Sequence, residues 1–106
     1  MTSEGRPATV AELIVMMNRR VDVTARFATG DEAAFLSALG AEGSHMRLAG
    51  GTSVILLQKG VASRWTAFHE WLHRCRQQRA GAVAPGEDRQ IESFLRCHRR
   101  FLRLDE

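Results

Sequence analysis

The segment Trp65-Thr66-Ala67-Phe68-His69-Glu70-Trp71-Leu72-His73 contains a complete His-Glu-x-x-His. Residues four apart share one face of a helix, so the imidazoles of His69 and His73 can bind a single ion from successive turns. Glu70 can then hold a water in the open coordination position of that ion and take its proton. A pattern of this length also arises on solvated helix faces, so its weight depends on what the rest of the chain places around it.

A catalytic zinc of this type needs three protein ligands and one open position, so a third ligand has to come from elsewhere. Three carboxylates compete for the role. Taking Ile91 as the centre of a buried helix face at about 100° per residue, Glu87 lies about 40° to one side, Asp88 about 60° to the other and Glu92 about 100° away. This geometry favours Glu87 and Asp88. Glu92 is separated from His73 by residues 74–91, a spacing like that of aminopeptidases in the thermolysin clan. Asp88 and Glu92 are also four apart, so one can bind the metal while the other steadies a ligand from behind.

The elements that must position these groups are legible in the hydrophobic pattern. Apolar residues at 10, 13, 14 and 17, with Thr9 as N-cap, predict a helix from Val10 to about Arg20. Residues 21–27 alternate as a half-buried strand. Asp31 is available to cap a second helix, Glu32 to about Leu39, with Ala33, Phe35, Leu36 and Leu39 inward and Gly40 closing it. A short extended segment to Leu48 holds His45, which reads as an edge-strand histidine rather than a ligand. Residues 52–58 include four consecutive large aliphatics and predict a central strand buried on both faces. Ser63 caps the motif helix, about Arg64 to Arg79, whose inner face is expected from Trp65, Phe68, Leu72 and either Trp71 or Cys75. After a loop over 81–86, Glu87 to Leu104 is the best amphipathic pattern, with Ile91, Phe94, Leu95, His98, Phe101 and Leu102 inward.

These elements make an α+β fold, a small sheet of about three strands packed on about four helices. The 106 residues suit one domain, expected over 8–106 after a disordered N-terminus at 1–7. Composition, 44% hydrophobic and 25% charged, argues against disorder of the whole. No apolar run reaches the length of a membrane span, and the N-terminus lacks the form of a signal peptide, so a cytoplasmic location without membrane association is expected. Net charge is +3, with eight arginines between Arg74 and Arg103. Such a basic end can indicate a nucleic-acid partner, but no aromatic platform interleaves the arginines and solvated helix faces explain them as well. Cys75 and Cys97 form no Cys-x-x-Cys pair and are expected to be reduced, although a bridge between the last two helices is open.

The runs Gly40-Ala41-Glu42-Gly43, Val54 to Gly60 and Ser63 to His73 together resemble the small zincin-like metallopeptidase toxin domains at the C-termini of bacterial polymorphic toxins. Asp88-Arg89-Gln90-Ile91-Glu92-Ser93-Phe94-Leu95 is similar to the Glu-x-x-Val-x-x-x-Leu that opens the family's last helix. A strand followed by a helix with His-Glu-x-x-His is the local arrangement zincins use, with substrate along the neighbouring sheet edge. The resemblance implies a minimal zincin-like domain, Zn2+ on His69 and His73, Glu70 as general base and Asp88 in the position of the third ligand, usually glutamate. Aspartate is one methylene shorter, so the helix must approach closely, or Glu87 or Glu92 must substitute. The resemblance further implies a protein or peptide substrate, delivery as part of a larger toxin and a cognate immunity protein.

The mechanism expected from these residues is zinc-dependent hydrolysis of a peptide bond. Zinc activates a water and polarises the carbonyl, and Glu70 takes the proton and returns one to the leaving amine. With no tyrosine in the chain, His98, an arginine such as Arg89 or the metal itself would face the oxyanion. Two other readings compete: a non-catalytic α+β binding module, a degenerate zincin, and a nucleic-acid-binding domain using Arg96, Arg99 and Arg103.

Overall fold

The aliphatic run at 54–57 does lie at the centre of the sheet, and the other elements are arranged about it. The computed structural model describes residues 5–106. Residues 1–4, part of the segment expected to be disordered, lie outside the described residues. The elements are α1 (Val10–Met17), β1 (Val23–Phe27), α2 (Gly30–Ala38), β2 (Gly43–Arg47), β3 (Ser53–Leu57), α3 (Arg64–Ala80) and α4 (Glu87–His98). The fold is therefore α+β, four helices with a three-stranded mixed sheet. The strand order is β1-β3-β2, with β1 parallel and β2 antiparallel to β3.

One face of the sheet carries the core. Ile55 and Leu57 of β3 pack with Val23 and Ala25 of β1, Leu13 and Met17 of α1 and Ala67 of α3. The expectation that β3 is buried on both faces needs correction, because Val54 and Leu56 are only half-buried. The helix on their side, α2, is short and presses inward through Leu36 alone. Phe35 and Leu39, predicted to face inward, are 65% and 64% exposed. The cap of α2 is Thr29 rather than Asp31: the Glu32 carboxylate accepts the Thr29 backbone N–H at 2.8 Å and its hydroxyl at 2.9 Å. Arg26 holds the same carboxylate from β1.

α1 begins at the expected place, with Thr9 and Glu12 in a reciprocal capping box. It stops at Met17, three residues short of Arg20, because the Asn18 side chain has a different task. Its amide donates to Ala25 O and accepts Ala25 N–H, both at 2.7 Å, pairing the outer edge of β1 as a strand would. Residues 19–22 then turn, so the strand starts at Val23 and not at Val21. Asp22 closes this corner through a bidentate pair with Arg74 of α3, at 2.6 and 3.0 Å, and that guanidinium lies over the Trp71 ring.

The Arg74 guanidinium holds the Asp22 carboxyl below its usual range. A lowered folded-state pKa means that the pair's contribution is present above the unfolded pKa and is lost as pH falls through the folded one. Asp22→Asn is expected to cost about 1.5–3 kcal/mol near pH 7, the range for a hydrogen bond to a charged partner. The cost should shrink towards zero in acid. Urea denaturation of both forms at the two pH values checks this, and an equal loss at both would contradict it.

α4 packs on α3 through a second cluster, Ile91, Leu95 and Leu104 against Trp65, Phe68 and Leu72. Burying each large aliphatic there contributes about 1.5–3 kcal/mol. The last helix is shorter than its pattern suggests, ending at His98 rather than Leu104. The chain turns back through Arg103, at φ 54°, and returns Leu104 to the cluster. Phe94, His98 and Phe101, predicted inward, are exposed. The turn is fastened by Arg64, whose guanidinium donates to Leu102 O, Arg103 O and Ala8 O. One arginine at the start of α3 thus secures both the final turn and the residue before the Thr9 cap. Cys75 and Cys97 are free thiols. Among the described residues no helix is long and apolar enough to cross a membrane.

Candidate metal centre

α3 carries the motif from Ser63, whose hydroxyl accepts the Thr66 N–H, to Gly81, a left-handed C-cap at φ 79°. The line of α3 that meets the sheet is Ala67, Glu70 and Gln77, all buried. It replaces the expected inner face of Trp65, Phe68 and Leu72, which turns to α4, with Phe68 and Trp71 reaching the core beside α1. The reason lies partly at Gly43. A Cβ there would stand 2.9 Å from Leu57 Cδ2 and 3.0 Å from Thr66 Cγ2, so glycine lets α3 sit directly on β2. Close approach places Glu70 against the edge strand and leaves His69 and His73 facing α4.

His69, His73 and Asp88 converge. The two Nε2 atoms are 3.1 Å apart, and Asp88 Oδ1 lies 3.3 Å from His69 Nε2 and 2.8 Å from His73 Nε2. The methylene that aspartate lacks is made up by proximity, since Ile91 and Leu95 seat α4 tightly on α3. Glu87 and Glu92 do not join this group. Each stands behind an imidazole: Glu92 Oε2 is 2.6 Å from His69 Nδ1, and Glu87 Oε2 contacts His73 Nδ1. Both are anchored in turn, Glu92 by the Trp65 indole N–H at 3.2 Å and Glu87 by the Gln77 amide at 2.9 Å and the Ala84 N–H at 3.3 Å. Burial works to raise the Glu87 carboxyl, but Gln77, His73 and Ala84 outweigh it and leave the group below its usual range.

These outer contacts decide what the inner atoms are. An ionised carboxylate only accepts, so each Nδ1 carries the proton and each Nε2 of a neutral imidazole presents a lone pair. Three acceptors then face one another within 3.3 Å, an arrangement relieved either by a cation between them or by a single proton on His73 Nε2 shared with Asp88 and His69. Protonating both Nε2 atoms would instead oppose two N–H groups 3.1 Å apart. A tetrahedral ion with ligand bonds of about 2.0–2.1 Å has ligand-to-ligand edges of about 3.3 Å. The donor set therefore fits a zinc ion in size, charge and tautomer, with Asp88, 79% exposed, on the open side.

Glu70 is beside this corner and 7% exposed. Burial pushes its carboxyl up to about 7; the neighbouring His69 opposes the rise and Asp88 adds to it. A carboxyl so placed can exchange a proton near neutral pH. His45, on β2, does not join the three donors. Its Nε2 lies 2.9 Å from Ser53 Oγ and its ring stacks on His73 at 6.0 Å. Burial, His73 and Arg47 together hold it down to about 4 against the pull of Glu87, which keeps it neutral. His98 and Arg89, considered for an oxyanion, lie elsewhere: His98 bonds Phe94 O from an exposed position, and Arg89 is on the exposed side of α4.

A groove of about 800 Å3 opens beside the corner. It runs past β2, which has a free edge, from α3 and Asp88 on one side to α2 on the other. No family model, curated protein or solved structure matches the chain. The class of site is thus read from its donor set and groove alone.

Proposed function

We propose that this chain is a zinc-dependent metallopeptidase, with zinc held by His69, His73 and Asp88 and with Glu70 as general base. The observation that carries the proposal is the convergence of three lone-pair donors next to a buried carboxylate at the head of an open groove. Zinc bound there would supply a Lewis acid for the scissile carbonyl and lower the pKa of a water to about 7.

The chain's own residues account for the rest. Glu92 and Glu87 fix the His69 and His73 tautomers so that both Nε2 atoms aim at one point. Glu70 orients the attacking water, takes its proton and passes it to the leaving nitrogen. The free edge of β2 offers backbone N–H and C=O groups to an extended polypeptide, which brings one of its peptide bonds past the corner. Since Glu70 must be ionised to act, activity should fall as pH drops below the working value of its pKa, which a bound dication would draw down from about 7.

The nucleic-acid reading has less support. Arg74, Arg99 and Arg103 are each committed to a carboxylate, Asp22, Asp105 and Glu106. The toxin resemblance extends the proposal to a domain delivered by a larger carrier and neutralised by an immunity protein. The test is hydrolysis of an unfolded protein by the purified chain. Chelation should abolish cleavage and stoichiometric zinc should restore it. Cleavage indifferent to chelator would remove the metallopeptidase reading.

A further inference from the structure

The walls of the groove are chemically lopsided. On the side of α2 they present Phe35 and Leu39, large apolar side chains left mostly exposed, with Met46 of β2 62% exposed beside them. A helix that exposes its apolar residues into a groove, rather than into the sheet it covers, has surface to offer a ligand. The charges are one-sided as well. The groove bears Asp31, Glu32, Glu70 and Asp88, and a contiguous recess of about 410 Å3 past Glu70 adds Glu42. Among the described residues no lysine or arginine lines either space, although the chain carries a net charge of +3. Arg26 reaches the groove wall only by pairing with Glu32, and Arg47, the last residue of β2, donates to Gly81 O. A dication at the corner would offset Glu70 and Asp88 and Arg26 already offsets Glu32, which leaves Asp31 and Glu42.

We propose that the groove selects an extended polypeptide segment in which a large apolar side chain lies against Phe35 and Leu39 and the flanking side chains are basic. This rests on the reading of the groove as a peptide cleft and adds which peptides enter it. The apolar wall takes the side chain that gains most from leaving water. Asp31 and Glu42, at separate places along the groove, favour lysine or arginine nearby and repel acidic segments. The overall positive charge would otherwise attract acidic partners, so the preference runs against the chain's net charge.

The probes are three short unstructured fluorescent peptides: one of leucine, phenylalanine and arginine in a polar background, one with its apolar positions changed to alanine, and one with its arginines changed to glutamate. Binding is measured by anisotropy on zinc-loaded Glu70→Gln protein, so that no probe is consumed. The first peptide should bind roughly tenfold or more tightly than either of the others, and Phe35→Ala/Leu39→Ala should remove about tenfold of its affinity, as loss of partial apolar burial implies. Phe101→Ala, an exposed phenylalanine outside the groove, should leave binding unchanged. The preference for arginine should weaken with salt. Equal binding of the three peptides, or indifference to the α2 substitutions, overturns the proposal. Cleavage by the unsubstituted chain without sequence preference also overturns it while leaving the peptidase reading intact. Selective binding with no cleavage does the reverse.

Discussion

Glu70→Gln is expected to abolish hydrolysis while leaving zinc content at about one per chain, the loading of a single three-ligand site. The substitution keeps the size and hydrogen-bonding reach of a side chain that is 7% exposed on the sheet-facing line of α3. It removes only the ability to take a proton. The loss in kcat should be at least about 100- to 10,000-fold, the usual contribution of a positioned base. The buried carboxyl, raised to about 7, also costs something when ionised, so the neutral amide should leave folding stability unchanged or higher. Catalysis and stability would then move in opposite directions, a pattern that simple damage to the fold does not produce. Hydrolysis retained in a variant with full zinc would remove Glu70 from the role of base.

The second large effect concerns the metal itself. His73→Ala should reduce zinc from about one per chain to near zero, because two remaining ligands do not make a site of useful affinity. That variant also strips the partner from Glu87, which is 3% exposed, so some loss of stability will accompany it. Asp88→Ala separates the two effects, since its side chain is 79% exposed and its removal disturbs little packing. It should lose zinc with a nearly unchanged melting temperature. Glu87→Gln tests the contact behind His73, with an expected fall of about 10- to 100-fold in affinity. Unchanged metal content in both His73→Ala and Asp88→Ala would mean that any bound ion sits elsewhere.

How far the sequence alone reaches differs from element to element. The motif helix and the central strand stand out because their signals are local: a capping serine and left-handed glycine at the ends of α3, glycines around an aliphatic run for β3. Helix spacing brings His69 and His73 together, but helix angles leave Glu87 and Asp88 both open as the third donor, and only the family resemblance singles out Asp88. The positions of Glu87 and Glu92 were open because helix angles say where a side chain starts and not which ring nitrogen it meets. The i,i+4 pairing of Asp88 and Glu92 was the usable signal for one of them. The helix ends at Met17 and His98 depart from the apolar pattern for a common reason. In each case a long-range contact overrides the apolar period, Asn18 on Ala25 at one end and Arg64 on the 102–103 carbonyls at the other. The exposed face of α2 is not legible in the sequence because the pattern counts apolar residues and does not distinguish those that face a groove from those that face the sheet.

The grip of Arg64 on Ala8, Leu102 and Arg103 has a consequence for how this chain can vary. All three partners are main-chain carbonyls, which every residue type supplies. The fastening is therefore blind to the identity of the residues it holds, and what restricts positions 102 and 103 is instead the packing of Leu102 on the α3–α4 cluster and the left-handed backbone at Arg103. Arg64 is restricted by the fastening itself: a lysine would bring a point charge in place of a planar fork and could not span the same oxygens. Relatives too distant to share the closing turn's letters would still share the arginine that opens the motif helix.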